Sequence, residues 1–315
     1  MFWSISNGAG QKLETFSKET LINGRPEHLE CVRINEQVYS VSRGLLTTIG
    51  LEEEWYEDAN DPALAIATLR RARTGADLFT FWQRLPHTKP EYDYYMEWQS
   101  ISVLSVQTYD YWWNSQLKAN TRNMIRKSQK AGVEVREASF DDDFIRGITD
   151  IFNESPVRQG RPFWHYGKDF KTVKHHFSRF LFREDLIGAY YQGELIGFVM
   201  LGHAGRFGIL GQFISKFQHR DKATNNALMG KTVEMCEKRQ LPYLTYGSWD
   251  QSSLADFKRH CGFEEIQVPR YFIPLTPRGA VALRLRLHRG WKNALPPQIK
   301  KPLKKLRNRW YELNK

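Results

Sequence analysis

Residues 155–170, SPVRQGRPFWHYGKDF, combine basic side chains, aromatic rings and turn-forming residues in one short stretch. Two Gly and two Pro predict a shaped loop here and not a helix. Guanidinium groups bind carboxylates or phosphates through paired N–H donors, and aromatic rings offer stacking surfaces. We therefore expect four side chains of this loop to bind a ligand: Arg158, Arg161, Trp164 and Tyr166. His165 is a candidate proton acceptor near neutral pH. The alternative is a loop that packs its rings on the protein and exposes its charges.

The elements around this loop are predicted from apolar periodicity and turn residues. Short strand-like runs and one helix, opened by Asp61-Pro62, occupy the first part of the chain. A helix is predicted over residues 114–132, followed by a strand, a helix, the loop and a further helix. Three strands, a helix, a strand, a helix and a strand then lead to residue 276. This order predicts an α/β (α+β) fold.

Positive charge is concentrated at the C-terminus. The chain has a formal net charge of +11, and residues 278–315 contain twelve Lys or Arg and one Glu, so the rest is neutral overall. Leu and Trp recur there at spacings of three and four, and basic amphipathic helices of this kind bind anionic membranes. We expect five tail residues to contact a membrane or a nucleic acid: Lys301, Lys304, Lys305, Arg307 and Trp310. Docking of the apolar stripe on the protein itself is the third alternative.

Three cysteines, Cys31, Cys236 and Cys261, lie far apart without a neighbouring His or Cys at metal-ligand spacing. They indicate buried thiols in a reducing compartment, and no metal is expected. The N-terminus lacks the pattern of a signal peptide, and the most apolar run, residues 186–202, is too short and polar to span a bilayer. A cytoplasmic location is therefore expected, with peripheral contact at the inner face of the cytoplasmic membrane.

Two stretches resemble acetyltransferases of the GNAT superfamily: YYQGELIGFVML, a turn-linked strand pair, and LADFKRHCGFEEI, a late helix that leads into the last strand. The helix NTRNMIRKSQKAGVEV resembles FemA, FemB and FemX-like proteins, which are peptidoglycan aminoacyltransferases built from two GNAT-like halves. The resemblance covers roughly residues 95–276. It implies a mixed twisted sheet with helices on both faces. The implied domains are a degenerate GNAT-like half (1–113), an acyltransferase domain (114–276) and a basic amphipathic helical tail (277–315).

The resemblance also locates a donor site, with one departure. GNAT enzymes that use acetyl-CoA carry a glycine-containing loop whose N–H groups hold the pyrophosphate. The matching segment here is 218–223, where Asp221 replaces the central Gly and adds a negative charge. This departure favours the Fem-like donor, aminoacyl-tRNA, over acyl-CoA, and no permanently bound cofactor is expected. Arg220, Lys222 and Asn225 are the candidate donor-binding residues; helix capping is the alternative for Asn225.

Amine attack on an acyl carbonyl requires a proton acceptor and stabilisation of the oxyanion. His165 and Asp250 are the main candidate bases, with His203 a weaker one. Lys258 belongs to a Phe-Lys pair like one that FemX-like proteins place at the transfer site, which implies stabilisation of negative charge. A solvated helix position is its alternative. Further substrate contacts are expected from Gln212, Tyr246 and Ser248, and the loop 155–170 would then recognise the acceptor.

The implied function is transfer of an acyl or aminoacyl group to an amine of a cell-envelope precursor, either a peptide or a lipid-linked saccharide. One alternative is an acyl-CoA-dependent N-acetyltransferase. The other is a non-catalytic GNAT-fold protein that binds membrane or nucleic acid. An open cleft between FGILGQF and YLTYGSW, lined by Arg158, Tyr246 and Lys258, would favour an enzyme. A cleft filled by aromatic side chains would favour the binding protein. The expected partners are the donor, the envelope precursor and an anionic membrane surface.

Overall fold

The computed structural model describes residues 3–6, 12–22, 25–158, 160–178, 181–249 and 253–289 of the 315-residue chain. The strands are β1 (Trp3–Ser6), β2 (Lys12–Ile22), β3 (Arg25–Ile34), β4 (Gln37–Ser42), β5 (Thr48–Leu51), β6 (Leu78–Trp82), β7 (Met96–Ser105), β8 (Glu134–Glu137), β9 (Val157–Arg158), β10 (Arg161–Pro162), β11 (Glu184–Tyr191), β12 (Glu194–Ala204), β13 (Phe207–Ser215), β14 (Tyr243–Ser248) and β15 (Glu264–Pro274). The helices are α1 (Pro62–Ala72), α2 (Tyr109–Tyr111), α3 (Ala119–Lys130), α4 (Asp142–Asn153), α5 (Phe170–Ser178), α6 (Thr224–Lys238), α7 (Ser253–His260) and α8 (Pro277–Arg284).

One continuous mixed sheet contains thirteen of these strands, in the order β1-β2-β3-β4-β5-β6-β15-β7-β14-β13-β12-β11-β8. The pairs β5–β6 and β13–β14 are parallel. Strands β9 and β10 form a separate antiparallel ribbon within the loop 155–170. Strand β15 lies between β6 and β7, so the first and second parts of the chain share one ladder. The domain boundaries expected at residues 113 and 276 stay predictions.

Helices cover both faces of the sheet in the second part of the chain. Alternate residues of β12 face opposite sides. Phe198 and Met200 pack with the apolar residues of α4 and α5, whereas Val199 and Leu201 pack with those of α3 and α6. We refer to these as the α4 face and the α6 face. The predicted fold class, a GNAT-like mixed sheet with helices on both faces, is confirmed.

The helix predicted over residues 114–132 is divided. Trp112–Gln116 forms a π-helical turn, Leu117 and Lys118 are extended, and α3 begins at Ala119. The buried indole of Trp112 donates to the carbonyl oxygen of Cys261 at 2.8 Å, which ties this turn to the end of α7. The helical pattern of the sequence continues through the break. No Gly or Pro lies between Trp112 and Ala119, and the turn is held by a tertiary contact instead.

Candidate active site

Strands β13 and β14 pair for only a short distance and then separate. Their parallel ladder joins residues 207–209 to 243–245; beyond it, β13 continues beside β12 and β14 beside β7. Gly211 is the extra residue of a bulge in β13, since Leu210 pairs with Leu201 and Gln212 with Met200. Gly247 has a φ of +59°, a conformation that favours glycine, where β14 shifts its register against β7. The separation frees main-chain groups on two strands, which makes this gap the candidate site.

Lys258 lies buried on α7 beside the end of β14. Its side chain is 2% exposed, so it is not a solvated helix position. The ammonium group donates to the hydroxyl of Ser102 at 2.9 Å and to the main-chain oxygen of Ser248 at 2.8 Å. It also lies 4.8 Å from the centre of the Tyr246 ring. A buried cation at this position can stabilise negative charge that develops on a substrate held in the gap.

Aromatic rings narrow the gap on the α6 face. The ring of Phe213 lies 5.7 Å from those of Tyr246 and Phe257. Burial raises the pKa of Tyr246, so its hydroxyl group keeps its proton. Gln212 points to the α4 face, because it lies opposite Met200. The ring packing is the arrangement that we associated with a binding protein; Lys258 lies beside the gap, and contact of Lys258 or Gln212 with a substrate stays a prediction.

The loop 155–170 lies on the α4 face. Trp164 and Tyr166 are 45% and 48% exposed, and Arg161 is exposed as well. Exposed rings on a loop held by two short strands provide the stacking surface that the sequence predicts. These three side chains are therefore available to a ligand, and their contact with one stays a prediction.

Arg158 is bonded within the protein. Its guanidinium group donates to the main-chain oxygens of Ser215 and Ile151, both at 2.8 Å, and to the carboxylate of Glu154 at 3.1 Å. The rings of Phe163 and Phe217 lie over its two faces. The N–H donors that we expected to bind a ligand thus connect the loop, α4 and the end of β13.

His165 is buried and is a poor proton acceptor. The ring is 2% exposed and stacks on Phe152 with centroids 4.0 Å apart. The Lys168 ammonium lies 3.3 Å from Nδ1 of His165. Burial first, and the charge of Lys168 second, lower the pKa of His165 to about 2. Burial also lowers the pKa of Lys168, to about 8. This environment argues against the predicted role of His165 as a base near neutral pH.

The expected donor residues surround the start of α6. Ala223 adopts a left-handed conformation, and α6 begins at Thr224 without a side-chain cap. The side-chain oxygens of Thr224 and Asn225 are buried and have no hydrogen-bond partner among the described residues. Asn225 therefore does not cap the helix. Lys222 pairs with the exposed Asp221 at 3.3 Å, so the ammonium group of Lys222 partly neutralises the negative charge of Asp221.

Glu184 is a residue that the sequence analysis did not identify. It begins β11, and its Oε1 accepts from the hydroxyl of Tyr56 at 3.5 Å. Burial raises the pKa of Glu184 to about 7, although Tyr56 and His203 act in the opposite direction. The apolar run over residues 186–202 begins two residues later, so nothing in the local pattern placed this carboxylate in the sheet. Its partner Tyr56 is distant in sequence.

His203 contacts an acid. Its Nε2 lies 2.6 Å from Asp185, which also accepts from Arg239, the residue after α6, at 3.0 Å. Six candidate residues lie outside the described residues: Asp250, Lys301, Lys304, Lys305, Arg307 and Trp310.

Within the described part of the chain, no helix combines the length and apolar character needed to cross a membrane.

Comparisons with known proteins support the fold. No protein-family model matches the chain, and no curated protein is similar to it in sequence. The C-terminal domain of a protein described as a lysylphosphatidylglycerol synthetase from Agrobacterium fabrum is similar in structure, with 11% identity, 78% of this chain and 84% of that chain covered, and a TM-score of 0.54. The structure of L-PGS from Bacillus licheniformis is 12% identical, with 79% of this chain and 84% of that chain covered and a TM-score of 0.52. The structure of FemX is 9% identical, with 81% of this chain and 88% of that chain covered and a TM-score of 0.48. At these identities the likeness concerns the fold.

Proposed function

We propose that the chain is an acyltransferase that moves an acyl or aminoacyl group to an amine of a cell-envelope precursor, a peptide or a lipid-linked saccharide. The observation that carries this proposal is the gap between β13 and β14, with the buried Lys258 ammonium beside it. A carbonyl group held between separating strands can accept main-chain hydrogen bonds, and a nearby cation stabilises the oxyanion that forms on attack.

The start of α6 supports a phosphate-bearing donor. The free N–H groups of a helix N-terminus attract anions, and α6 is fifteen residues long. Arg220 and Lys222 precede it, and the hydroxyl group of Thr224, which can donate to a phosphate, has no partner within the described structure. Aminoacyl-tRNA is our first choice of donor and acyl-CoA the alternative, because Asp221 stands where the CoA-binding loop has Gly.

The opposite face supports acceptor binding. Trp164, Tyr166 and Arg161 are exposed on the loop 155–170, and Gln212 points to this same α4 face. Donor and acceptor would then approach from opposite sides of the sheet and meet in the gap. This separation gives each substrate its own entrance.

A membrane acceptor is supported by charge and by structural likeness. A protein of the same fold is described as a lysylphosphatidylglycerol synthetase, a name that joins an amino acid to a lipid. Residues 278–315 of this chain hold twelve Lys or Arg and suit an anionic surface. We therefore infer a protein that works peripherally at the inner face of the cytoplasmic membrane.

A second candidate function, a non-catalytic binding protein, is favoured by the contacts of Phe213 with Tyr246 and Phe257. These rings narrow the gap where the donor carbonyl would lie. Such a protein would bind anionic membranes or nucleic acid through its basic tail and would transfer nothing.

A transfer assay separates these functions. The full chain is incubated with bacterial membrane extract and either bulk tRNA charged with radiolabelled amino acids or radiolabelled acetyl-CoA. We expect label to move from tRNA to the lipid or peptide fraction, with a large loss in Lys258→Met and little loss in the neighbouring control Arg259→Met. Transfer from acetyl-CoA alone would select the alternative donor. No transfer from either donor would overturn the proposal.

A further inference from the structure

Glu184 lies at the bulge of β13, on the acceptor side of the sheet. It pairs with Gly202 of β12, and Leu186, two residues further along β11, pairs with Met200, which packs on the α4 face. Glu184 therefore points to the same face as Gln212 and the loop 155–170. A Cβ built on Gly211 would lie 3.8 Å from Oε1 of Glu184. Because Gly211 has no side chain, no atom of residue 211 beyond its backbone separates the carboxylate from the bulge.

Tyr56 holds this carboxylate from above the sheet. Its ring lies against Gly202, where a Cβ would approach the ring to 2.7 Å, and its hydroxyl donates to Glu184. Arg183 precedes Glu184 and pairs with Glu57 at 3.0 Å. One distant segment, Tyr56 and Glu57, thus contacts both Glu184 and its neighbour Arg183.

We propose that Glu184 is the proton acceptor of the transfer reaction, positioned by Tyr56 beside the bulge at Gly211. This inference rests on the proposed function. It replaces His165, whose buried ring stacks between neighbouring side chains, as the base.

The proposed step balances as follows. A protonated amine of the acceptor gives one proton to the Glu184 carboxylate, and its nitrogen attacks the carbonyl carbon of the acyl ester. The C–N bond forms while the bond from that carbon to the ester oxygen breaks. The leaving oxygen takes a second proton from nitrogen, the amide keeps the third, and Glu184 returns its proton to solvent. For a thioester donor, the leaving atom is sulfur.

The groups around Glu184 set its titration. Tyr56 donates a hydrogen bond to the carboxylate, and the charge of His203 lowers its pKa. Arg183 lies over the Tyr56 ring and pairs with Glu57. Removal of the Tyr56 hydroxyl in Tyr56→Phe is expected to move the midpoint of the pH–rate profile upwards, because that hydroxyl stabilises the carboxylate form. A purely structural role for Tyr56 would leave the midpoint in place.

The first test needs no substrate. The full chain is treated with a water-soluble carbodiimide and an amine nucleophile near pH 7, and labelled carboxyl groups are located by peptide mass spectrometry. We expect labelling of Glu184 and no labelling of its neighbour Asp185, whose pKa His203 and Arg239 hold near 2 against the effect of burial. An unlabelled Glu184 would overturn the inference.

The second test uses the transfer assay. Glu184→Gln is expected to lose at least about 100-fold in rate, the usual contribution of a general base, with an unchanged thermal midpoint at pH 4. Full activity of Glu184→Gln would overturn the inference and leave the proposed function intact. Absence of transfer by the wild-type chain, by contrast, would overturn the proposed function.

Discussion

The ammonium group of Lys258 on α7 and the hydroxyl group of Ser102 on β7 are hydrogen-bonded at 2.9 Å across 156 positions of sequence. Ser102 is fully buried, and the same ammonium binds the end of β14 through the oxygen of Ser248. The pair therefore fixes the side of the gap formed by β14 and supplies its positive charge. We therefore predict that replacement of Lys258 lowers both the stability of the fold and the rate of acyl transfer.

Lys258→Met keeps the length of the side chain and removes the charge. The buried hydroxyl of Ser102 loses a charged donor, while the oxygen of Ser248 still accepts from Ser102, so we expect the free energy of unfolding to fall by about 1–3 kcal/mol. Chemical denaturation measures the change. Arg259→Met is the control, since Arg259 pairs with the exposed Asp256 and its loss is expected to change stability by less than about 1 kcal/mol. Equal stability of the two variants would contradict the structural role of Lys258.

Glu154 links the loop 155–170 to the turn that follows β13. Its carboxylate accepts from Arg158 and from the main-chain N–H groups of Phe217 and Gln218, at 2.7 and 2.9 Å. Glu154→Gln offers one acceptor oxygen in place of two, so we expect a loss of about 2–3 kcal/mol in urea unfolding. The exposed Asp143→Asn should stay within about 1 kcal/mol. A loss no larger in Glu154→Gln than in this control would show that the link is dispensable.

His165 is predicted to stay neutral throughout the physiological range. Its pKa is lowered from 6.5 in the unfolded chain to about 2 in the fold, so the unfolded state binds the extra proton first. Stability from this group is present above pH 6.5 and falls as the pH drops, by about 1.4 kcal/mol per pH unit. His165→Phe should flatten this acid dependence. NMR titration of the ring provides the direct check, and protonation near pH 6 would contradict the buried placement.

Glu184 gives the opposite dependence. Its pKa is raised from 4.5 to about 7, so ionisation costs stability as the pH rises from about 4.5 through 7. Glu184→Gln lacks this cost, and we expect it to be as stable as wild type at pH 4 and more stable by up to about 3 kcal/mol at pH 8. Thermal unfolding at both pH values measures the difference. If the variant and the wild type differ in stability by the same amount at pH 4 and at pH 8, the carboxyl group is not shielded from water.

The basic tail is predicted to bind anionic membranes. Replacement of Lys300, Lys301, Lys304 and Lys305 by Glu should abolish sedimentation with phosphatidylglycerol vesicles at low salt, because each Lys contributes about 1 kcal/mol. The same four positions changed to Arg should retain binding. Vesicles of neutral lipid provide the second control. Binding that survives the charge reversal would assign the tail to another partner.

Local patterns predicted the fold well and the site only in part. Asp61 caps α1 through the N–H of Leu64, as the Asp-Pro start indicates, and the hairpin at Gly193 joins β11 to β12. The order of the main-sheet strands and helices from β8 to β15 therefore followed from the sequence. Burial did not, because it depends on contacts between distant segments. The ring of His165 stacks on Phe152, and the carboxylate of Glu184 accepts from Tyr56, which lies 128 positions away in the sequence.

The place of β15 has a consequence for synthesis on the ribosome. This strand hydrogen-bonds to β6 on one side and to β7 on the other, yet both partners leave the ribosome more than 150 residues earlier. Until residue 274 emerges, β6 and β7 each present an unpaired edge, a template for wrong pairing with other chains. The nascent chain therefore carries these unpaired edges through more than 150 residues of its translation.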